Sequence, residues 1–493
     1  TERDMLEAFL DLIDDADILT GWNSEGFDIP YMVNRVARVL SKSHTRKFCL
    51  WDKFPRERKF ERFGAEQQTY DTIGRVHMDY MQLYRKYTYH EMHSYSLDAI
   101  GEYELNERKV DYEGTLDQLF NNDFEKFIAY SRQDVDLLVK LDKKLQFIDL
   151  ANVLAHSNTV LLQTTMGAVA QTDQAIMNEA HLQGMIVPDK RYDKDVTQAA
   201  GAYVATPKKG IHKDVGSIDL NSLYPSILRS CNMSTETIIG QVRHTYTKEM
   251  IANAKTVAEA WEGKFACKEY ELVINKDIEE ILHLDFEDGT SFEATGAEIY
   301  EIIFNSGQPW IISANGTIFT HEKKGIIPGL LERWYAERKE LQAKARDARA
   351  EGGDAFAYWD KRQLVKKINL NSLYGALLNP GSRFFDSRLG QSTTLTGRSI
   401  AKHMAAEINK IMAGVYDHQG DAIVYGDTDS TYFSAYPMLK EQIKKGEINW
   451  DRDNIIAYYD AVCEEVSKTF PGFMSRTFHT TLELGAIIAA GRE

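Results

Sequence analysis

The stretch AIVYGDTDSTYFSA (residues 422–435) decides the reading of this chain. Two apolar runs rich in β-branched and aromatic residues flank Gly-Asp-Thr-Asp, the pattern of two strands joined by a tight turn. Asp427 and Asp429 then sit at the turn, where strands fix the backbone and the turn exposes the carboxylates. A catalytic divalent-metal site needs that placement, and an Asx turn capping an ordinary hairpin has it too. A third aspartate, Asp219, lies in the strand-like segment GSIDLNSLYPSI (216–227). Mg²⁺ usually takes only one or two protein carboxylates and completes its shell with substrate phosphates. Two or three such aspartates near a basic helix are a candidate nucleotide site.

That basic element lies between them. Residues 331–350 read as a charged helix, EGGD (351–354) as a turn, and a second helix runs from Ala355 until Pro380-Gly381 stops it. Helices joined this tightly lie antiparallel. On the second, Lys367, Asn371 and Tyr374 are spaced i, i+4, i+7 and share one face. Arg338 and Lys339 on the first can turn toward the same space, and an arginine can fork two phosphate oxygens. Residues 323–402 hold 16 Lys+Arg against 8 Asp+Glu, a net +8 in a chain of net −16, so the remainder carries −24. A solvated helix face also explains such a run, but phosphate-binding surfaces are local features.

Upstream, DILTGWN (17–23) reads as a strand followed by a helix carrying Ile29, Met32, Val33, Val36 and Val39 at helical spacing. Pro30 suits the first turn of that helix, which places Asp28 at the strand-to-helix junction. A second helix, about 125–145, puts Tyr130 and Asp134 on one face. Residues 147–192 read as a polar, mixed connection. Small strands and turns follow to about 324, with a hairpin at Asp288-Gly289, and another helix is expected near 394–413.

Composition sets the class. At 493 residues, three or four domains are expected, and 43% hydrophobic with 27% charged residues excludes disorder, collagen and disulfide-dense scaffolds. No apolar run approaches the ~18 residues of a membrane span and no signal-peptide pattern opens the chain, so a soluble, intracellular protein is expected. Cys49, Cys231, Cys267 and Cys463 form no CxxC pair and read as small buried hydrophobes. Thr1 at the start and the strand-like LELGAIIAAGRE (482–493) at the end suggest that both ends are cut.

The residues closely resemble the family B DNA polymerases, most nearly the replicative polymerases of T-even-type tailed phages. DLNSLYPSI (219–227) looks like the family's first polymerase motif, KINLNSLYG (367–375) like its K-x3-NS-x-YG motif, and YGDTDS (425–430) like its signature turn. NSEGFD (23–28) and Tyr130-x3-Asp134 resemble the second and third motifs of the linked 3′→5′ exonuclease, and TLTGR (394–398) the template-contacting T-x2-GR.

The resemblance implies an α/β and α+β multidomain fold: a partial ribonuclease H-like exonuclease (1–146), a connecting segment of an N-terminal domain (147–192), a palm built on an antiparallel sheet with helices (193–324 and 380–493), and helical-hairpin fingers (325–379). It implies template-directed transfer of deoxynucleotides to a primer 3′ end. Asp219 and Asp429 would hold two Mg²⁺ ions, with Mn²⁺ an acceptable substitute, and Asp427 occupies the family position between them. Arg338 and Lys367 would grip the triphosphate, Lys367 also serving as proton donor to pyrophosphate. Asn371, Tyr374 and Leu223 would line the nucleotide pocket, and Tyr224 would be the steric gate against a 2′-hydroxyl. Gly397 and Arg398 would meet the template. In the exonuclease, Asp28 and Asp134 would be metal ligands and Tyr130 would position the attacking water. Partners implied are primer-template DNA, deoxynucleoside triphosphates, a sliding clamp and other replisome proteins, in the cytoplasm of an infected bacterial host, with no membrane. The family's D-x-E exonuclease motif and its thumb have no counterpart in this sequence, so proofreading is expected to be incomplete, and AAGAYV (199–204) stands where relatives carry Y-x-GG. Two rivals are a DNA-binding subunit of a split polymerase and a protein-primed polymerase.

Overall fold

A computed structural model describes residues 1–62, 65–88, 90–190, 201–244, 281–351 and 355–492. The chain divides into two compact units, Thr1–Gly167 and Ala168–Glu493. The EGGD turn beyond Glu351, the first two residues of AAGAYV, and Cys267 lie outside the described residues. Cys49, Cys231 and Cys463 are buried free thiols.

In the first unit, α1 (Glu2–Leu12) opens on Thr1, whose hydroxyl and the Asp4 carboxylate cap each other's backbone. Strand β1 (Ile18–Gly21) pairs in parallel with β4 (Val76–Asp79), which is the α/β character read from DILTGWN. Helix α2 (Asp28–Val39) buries Ile29, Val33 and Val36 against Leu6 and Leu10 of α1 and Phe48, with Met32 and Val39 packed at the edge. An antiparallel hairpin joins β2 (Arg56–Arg62) to β3 (Ala65–Asp71). Helices α3 (Tyr80–Tyr87), α4 (Leu97–Leu105), α5 (Leu116–Asn122), α6 (Phe124–Leu145) and α7 (Phe147–Asn158) complete the unit.

Residues 147–192 are not a featureless connection. They contain α7, a 3₁₀ turn at Leu162–Met166, and α8 (Ala168–Leu182), and the unit boundary falls inside them. Polarity hid α8, whose buried face includes Gln171, Thr172, Asp173 and Glu179.

The second unit is built on an antiparallel sheet of order β11-β12-β5-β13: β11 (Ile423–Asp427), β12 (Ser430–Phe433), β5 (Gly216–Leu220) and β13 (Ala490–Arg492). The 216–227 segment is strand only as far as Leu220; Ser222 turns the chain at φ 49° and α9 (Leu223–Ser230) follows. LELG in the final stretch is likewise a helical turn ahead of β13, not strand. A second sheet has the order β8-β7-β6-β10-β9, from β6 (Ile238–His244), β7 (Ile281–Phe286), β8 (Ser291–Thr295), β9 (Trp310–Ile312) and β10 (Thr317–Thr320). The β7–β8 hairpin turns at Asp288-Gly289, where Gly289 has φ 86°.

Between β8 and β9 lies α10 (Gly296–Tyr300). Helices α11 (Ile326–Glu351) and α12 (Ala355–Leu377) form the long hairpin. Helix α13 (Ser387–Ala413) begins seven residues before the expected 394, so TLTGR lies in its interior rather than at its start. The unit is closed by α14 (Tyr436–Lys444) and α15 (Arg452–Phe478), and one apolar core runs under both sheets and the bases of α11 and α12. Among the described residues, no helix is long and apolar enough to cross a membrane.

Candidate active site

Strand β5 is flanked on both sides, by β12 and β13. Ile218 and Leu220 are buried beneath it, so the alternation of a strand turns Asp219 to the other face. The residues directly beside Asp219 are Ser430 on one neighbour and Gly491 on the other, two of the smallest side chains, which leaves lateral room at the carboxylate. Asp429 lies at the entry to β12, and its carbonyl accepts from the Leu220 amide at 2.9 Å. Two carboxylate-bearing residues are thus tied side by side at strand ends, a donor set that suits a hard divalent cation.

The turn between β11 and β12 is held from outside the hairpin. Thr428 has φ 55°, and its amide donates to the Tyr203 carbonyl at 2.8 Å. The Ala205 amide donates to the Gly426 carbonyl at 2.8 Å, and Val204 forms an isolated antiparallel bridge with Asp427 at the end of β11. Asp427 is exposed, and its carboxylate accepts from Thr428 Oγ1 at 3.0 Å and Tyr425 OH at 3.3 Å. Local partners thus engage both its oxygens. Among the described residues, no cluster of three or more His, Cys, Asp or Glu side chains is arranged to hold a metal.

Above this sheet, Tyr224 on α9 stacks on Tyr374 of α12, ring centroids 4.2 Å apart and 28° from parallel. Tyr374 OH is hydrogen-bonded to Thr394 Oγ1 on α13. Burial raises the Tyr224 pKa, with Tyr374, Asp429 and Asp427 adding to the rise and Arg398 opposing it. Both Asp429 and Asp427 therefore lie within electrostatic reach of that ring. Gly397 is where α13 touches α9: a Cβ there would stand 3.2 Å from Tyr224 Cε1 and 3.5 Å from Leu223 Cδ2. Arg398 Nη1 donates to the Gly201 carbonyl at 3.2 Å, which ties α13 to the segment that holds the turn. On the hairpin, Lys367 is half-buried and Asn371 exposed, while Arg338 Nε donates to Gln363 Oε1 at 3.4 Å, across to the neighbouring helix.

The first unit holds the other expected group. Asp28 is on the first turn of α2; the residue is exposed overall, and partial desolvation of its carboxyl raises its pKa. Tyr130 and Asp134 share a face of α6, as the spacing requires. Lys109, unread in the sequence, joins them: its Nζ is 2.8 Å from Asp134 Oδ2 and 3.3 Å from Tyr130 OH. Burial works against the ammonium, but these two partners outweigh it and raise its pKa. Asp134 Oδ1 is buried without a hydrogen-bond partner, an open acceptor that fits a cation. Asp28 shares no hydrogen bond or ion pair with this trio among the described residues.

Asp79, also missed, organises the loop that leads to Asp28. Its buried carboxylate accepts from the amides of Asn23 at 3.0 Å, Glu25 at 3.2 Å and Met81 at 3.0 Å. The third of these caps α3. His77 Nε2 adds a 2.9 Å hydrogen bond to Ser24 Oγ. The signal for Asp79 was available, since it is an N-cap residue at the end of an apolar strand. For Lys109, one cation in the charged run NERKVDYEG, there was none.

Comparison with known proteins identifies the family. Residues 159–445 match the family model described as DNA polymerase family B, and residues 1–100 match the exonuclease domain of DNA polymerase family B. The chain is 29% identical over 463 residues to the DNA-directed DNA polymerase of Escherichia phage RB69, covering 91% of this chain and 49% of that one. With the DNA-directed DNA polymerase of Enterobacteria phage T4 it shares 28% identity over 446 residues, 87% of this chain and 48% of that one. With the DNA polymerase delta catalytic subunit of Candida albicans it shares 24% over 470 residues, 90% and 39%. The chain thus spans about half the length of the phage polymerases it matches. Since the family B model alone covers more than half of this sequence and contains Asp219, Tyr224, Lys367, Tyr374 and Asp429, the chain belongs to DNA polymerase family B.

Proposed function

We propose that the second unit performs template-directed addition of deoxynucleotides to a primer 3′ end. In this reading the sheet β11-β12-β5-β13 with its helices is the palm, spanning residues 193–324 and 380–493, and α11–α12 are the fingers within 325–379. The observation that carries it is the pairing of Asp219 and Asp429 at strand ends beneath the Tyr224–Tyr374 stack. Asp219 and Asp429 would hold Mg²⁺, which when bound activates the primer hydroxyl and neutralises charge on the triphosphate. Asp427, engaged by Thr428 and Tyr425, shapes the turn. Tyr224, stacked on Tyr374 and adjacent to Gly397, would exclude a 2′-hydroxyl by bulk. Lys367 and Arg338 supply positive charge to the phosphates, and Lys367 can pass a proton to the leaving pyrophosphate. Gly397 and Arg398 would face the template. Primer-template DNA and deoxynucleoside triphosphates are the substrates. A sliding clamp is the expected partner, in the cytoplasm of a bacterial host.

A second activity, 3′→5′ excision, is favoured in the first unit by the open acceptor on Asp134. There Asp28 and Asp134 would hold the cation, and Tyr130, tethered by Lys109, would orient water. The ribonuclease H-like form of this domain belongs to the same proposal.

Asp219→Asn or Asp429→Asn tests the main reading. In the polymerase carrying these residues, either change should stop primer extension while leaving duplex affinity within about threefold, because what is lost is transition-state charge stabilisation. Extension within about tenfold of wild type would show that these carboxylates are not the metal ligands.

A further inference from the structure

Helix α12 carries its nucleotide-facing residues on one side and its core contacts on the other. Lys367, Asn371 and Tyr374 span an arc of roughly 60° at about 100° per residue. The buried residues Val365, Ile368, Asn369, Leu370, Leu373, Ala376 and Leu377 fill the opposite side. Asn369 lies at the middle of that buried arc, roughly 200° around from Lys367, and is the single polar residue in it. Its Oδ1 accepts from Gln171 Nε2 of α8 at 2.9 Å, and both residues are 2% exposed. Gln171 Oε1 is buried with no hydrogen-bond partner, so the pair leaves an acceptor short and is a poor choice for stability alone.

Helix α8 is itself anchored at two further points, both on the C-terminal side of this contact. Asp173 accepts from Ser382 Oγ at 2.6 Å and from the Arg383 amide at 2.9 Å, just beyond α12. Glu179 pairs with Arg333 of α11 at 2.6 Å. Gln171 is therefore a stationary reference against which α12 is set.

We propose that Gln171 is a positioning residue for nucleotide binding, acting through Asn369 as the pin that sets the rotation of α12 about its own axis. The proposal rests on the polymerase reading of the site. Apolar side chains on the buried face are interchangeable contacts and tolerate a rotation, whereas one buried amide pair does not, the logic by which a lone buried Asn sets register between packed helices. A rotation of about 20° moves a side-chain tip ~6 Å from the helix axis by roughly 2 Å. A displacement of that size at Lys367 or Asn371 is enough to lose alignment with a bound triphosphate.

The test compares three forms of the full chain in primer extension, with the Asp219→Asn form as the inactive control. Gln171→Leu/Asn369→Leu removes both partners, so denaturant stability should equal or exceed wild type, while KM for the incoming nucleotide rises about tenfold with a smaller change in kcat. The exchanged pair Gln171→Asn/Asn369→Gln keeps the summed side-chain length and should restore KM to within about threefold of wild type. A stable double-leucine form with wild-type KM overturns the pin, since a merely structural pair predicts that result. Failure of the exchanged pair to recover KM while folding normally also overturns it. Wild-type extension no better than the Asp219→Asn control overturns the polymerase reading itself, and so is told apart from failure of the pin.

Discussion

Replacing Gly397 with alanine sets two effects of known size against each other. Gly397 lies buried in the interior of α13, where glycine costs about 1 kcal/mol relative to alanine, so propensity alone favours the change. The new Cβ would stand 3.2 Å from Tyr224 Cε1, 3.3 Å from Ile227 Cδ1 and 3.5 Å from Leu223 Cδ2. Carbon contacts are optimal at about 3.5–4.0 Å, so the first two are too close by a few tenths, and overpacking of this kind costs about 1–3 kcal/mol. The net loss of stability should therefore be small, between about 0 and 2 kcal/mol. The site feels more than the fold does. Tyr224 would meet the new methyl at Cε1 while already stacked on Tyr374, whose ring is 4.2 Å away and whose hydroxyl is tied to Thr394. In the proposed reading, in which Tyr224 packs beneath the sugar, a ring displaced by this contact would disturb the nucleotide pocket. KM for the incoming nucleotide should rise roughly fivefold or more, a loss of about 1 kcal/mol in binding. Denaturant unfolding and steady-state single-nucleotide insertion measure the two halves. Wild-type KM in a folded variant would refute the reasoning, because it would mean that α9 yields and the ring does not move.

Tyr224→Ala should raise ribonucleotide insertion relative to deoxyribonucleotide insertion, since it removes a clash rather than a contact; an unchanged insertion ratio rejects the gate. Lys109→Met should leave the Asp134 carboxylate without its cation and lower the protection of α6 amides against hydrogen exchange by about 1–3 kcal/mol, and unaltered exchange there contradicts the tether. Acidification should weaken both units through histidines that burial keeps neutral. The pKa of His403 is pushed down to about 3 by burial, with Arg476 and Lys410 adding to the effect, and that of His77 to about 4, with Glu25 opposing and Arg58 adding. Above the unfolded value of about 6.5 neither histidine is charged in either state. Below it only the unfolded chain takes up the proton, so each histidine should withdraw up to about 1.4 kcal/mol per pH unit, as far as its folded pKa. His403→Gln should flatten the fall in stability of the second unit between pH 6.5 and 5, and an unchanged slope would mean that His403 stays protonated in the fold.

What the sequence disclosed follows from how far apart interacting residues lie along the chain. Strand–turn–strand at 422–435 is local: apolar flanks and a Gly-Asp-Thr-Asp turn specify the hairpin that the structure contains. The face shared by Tyr130 and Asp134 is local too, fixed by helical spacing. The break inside 216–227 was not readable, because Ile218, Leu220, Leu223 and Ile227 fit a strand or a helix equally well over so short a run. The turn that separates the two elements rests on Ser222 at φ 49°, a conformation serine does not advertise.

Helix α8 shows the same limit in its strongest form. Hydrophobic periodicity finds a helix when water-avoiding side chains line one face, but α8 buries Gln171, Asp173 and Glu179, whose partners Asn369, Ser382 and Arg333 lie 198, 209 and 154 positions away. In the unfolded chain these side chains are hydrated and carry no sign of burial. Each becomes tolerable inside only once the distant partner arrives, since a buried polar group without one is expensive. Lys109 obeys the same rule at shorter range, as one cation among many until α6 brings it Asp134 and Tyr130. A motif written in consecutive residues therefore discloses the groups proposed to meet the substrate. The polar contacts that hold those groups in place are made between segments, and they exist only in the folded chain.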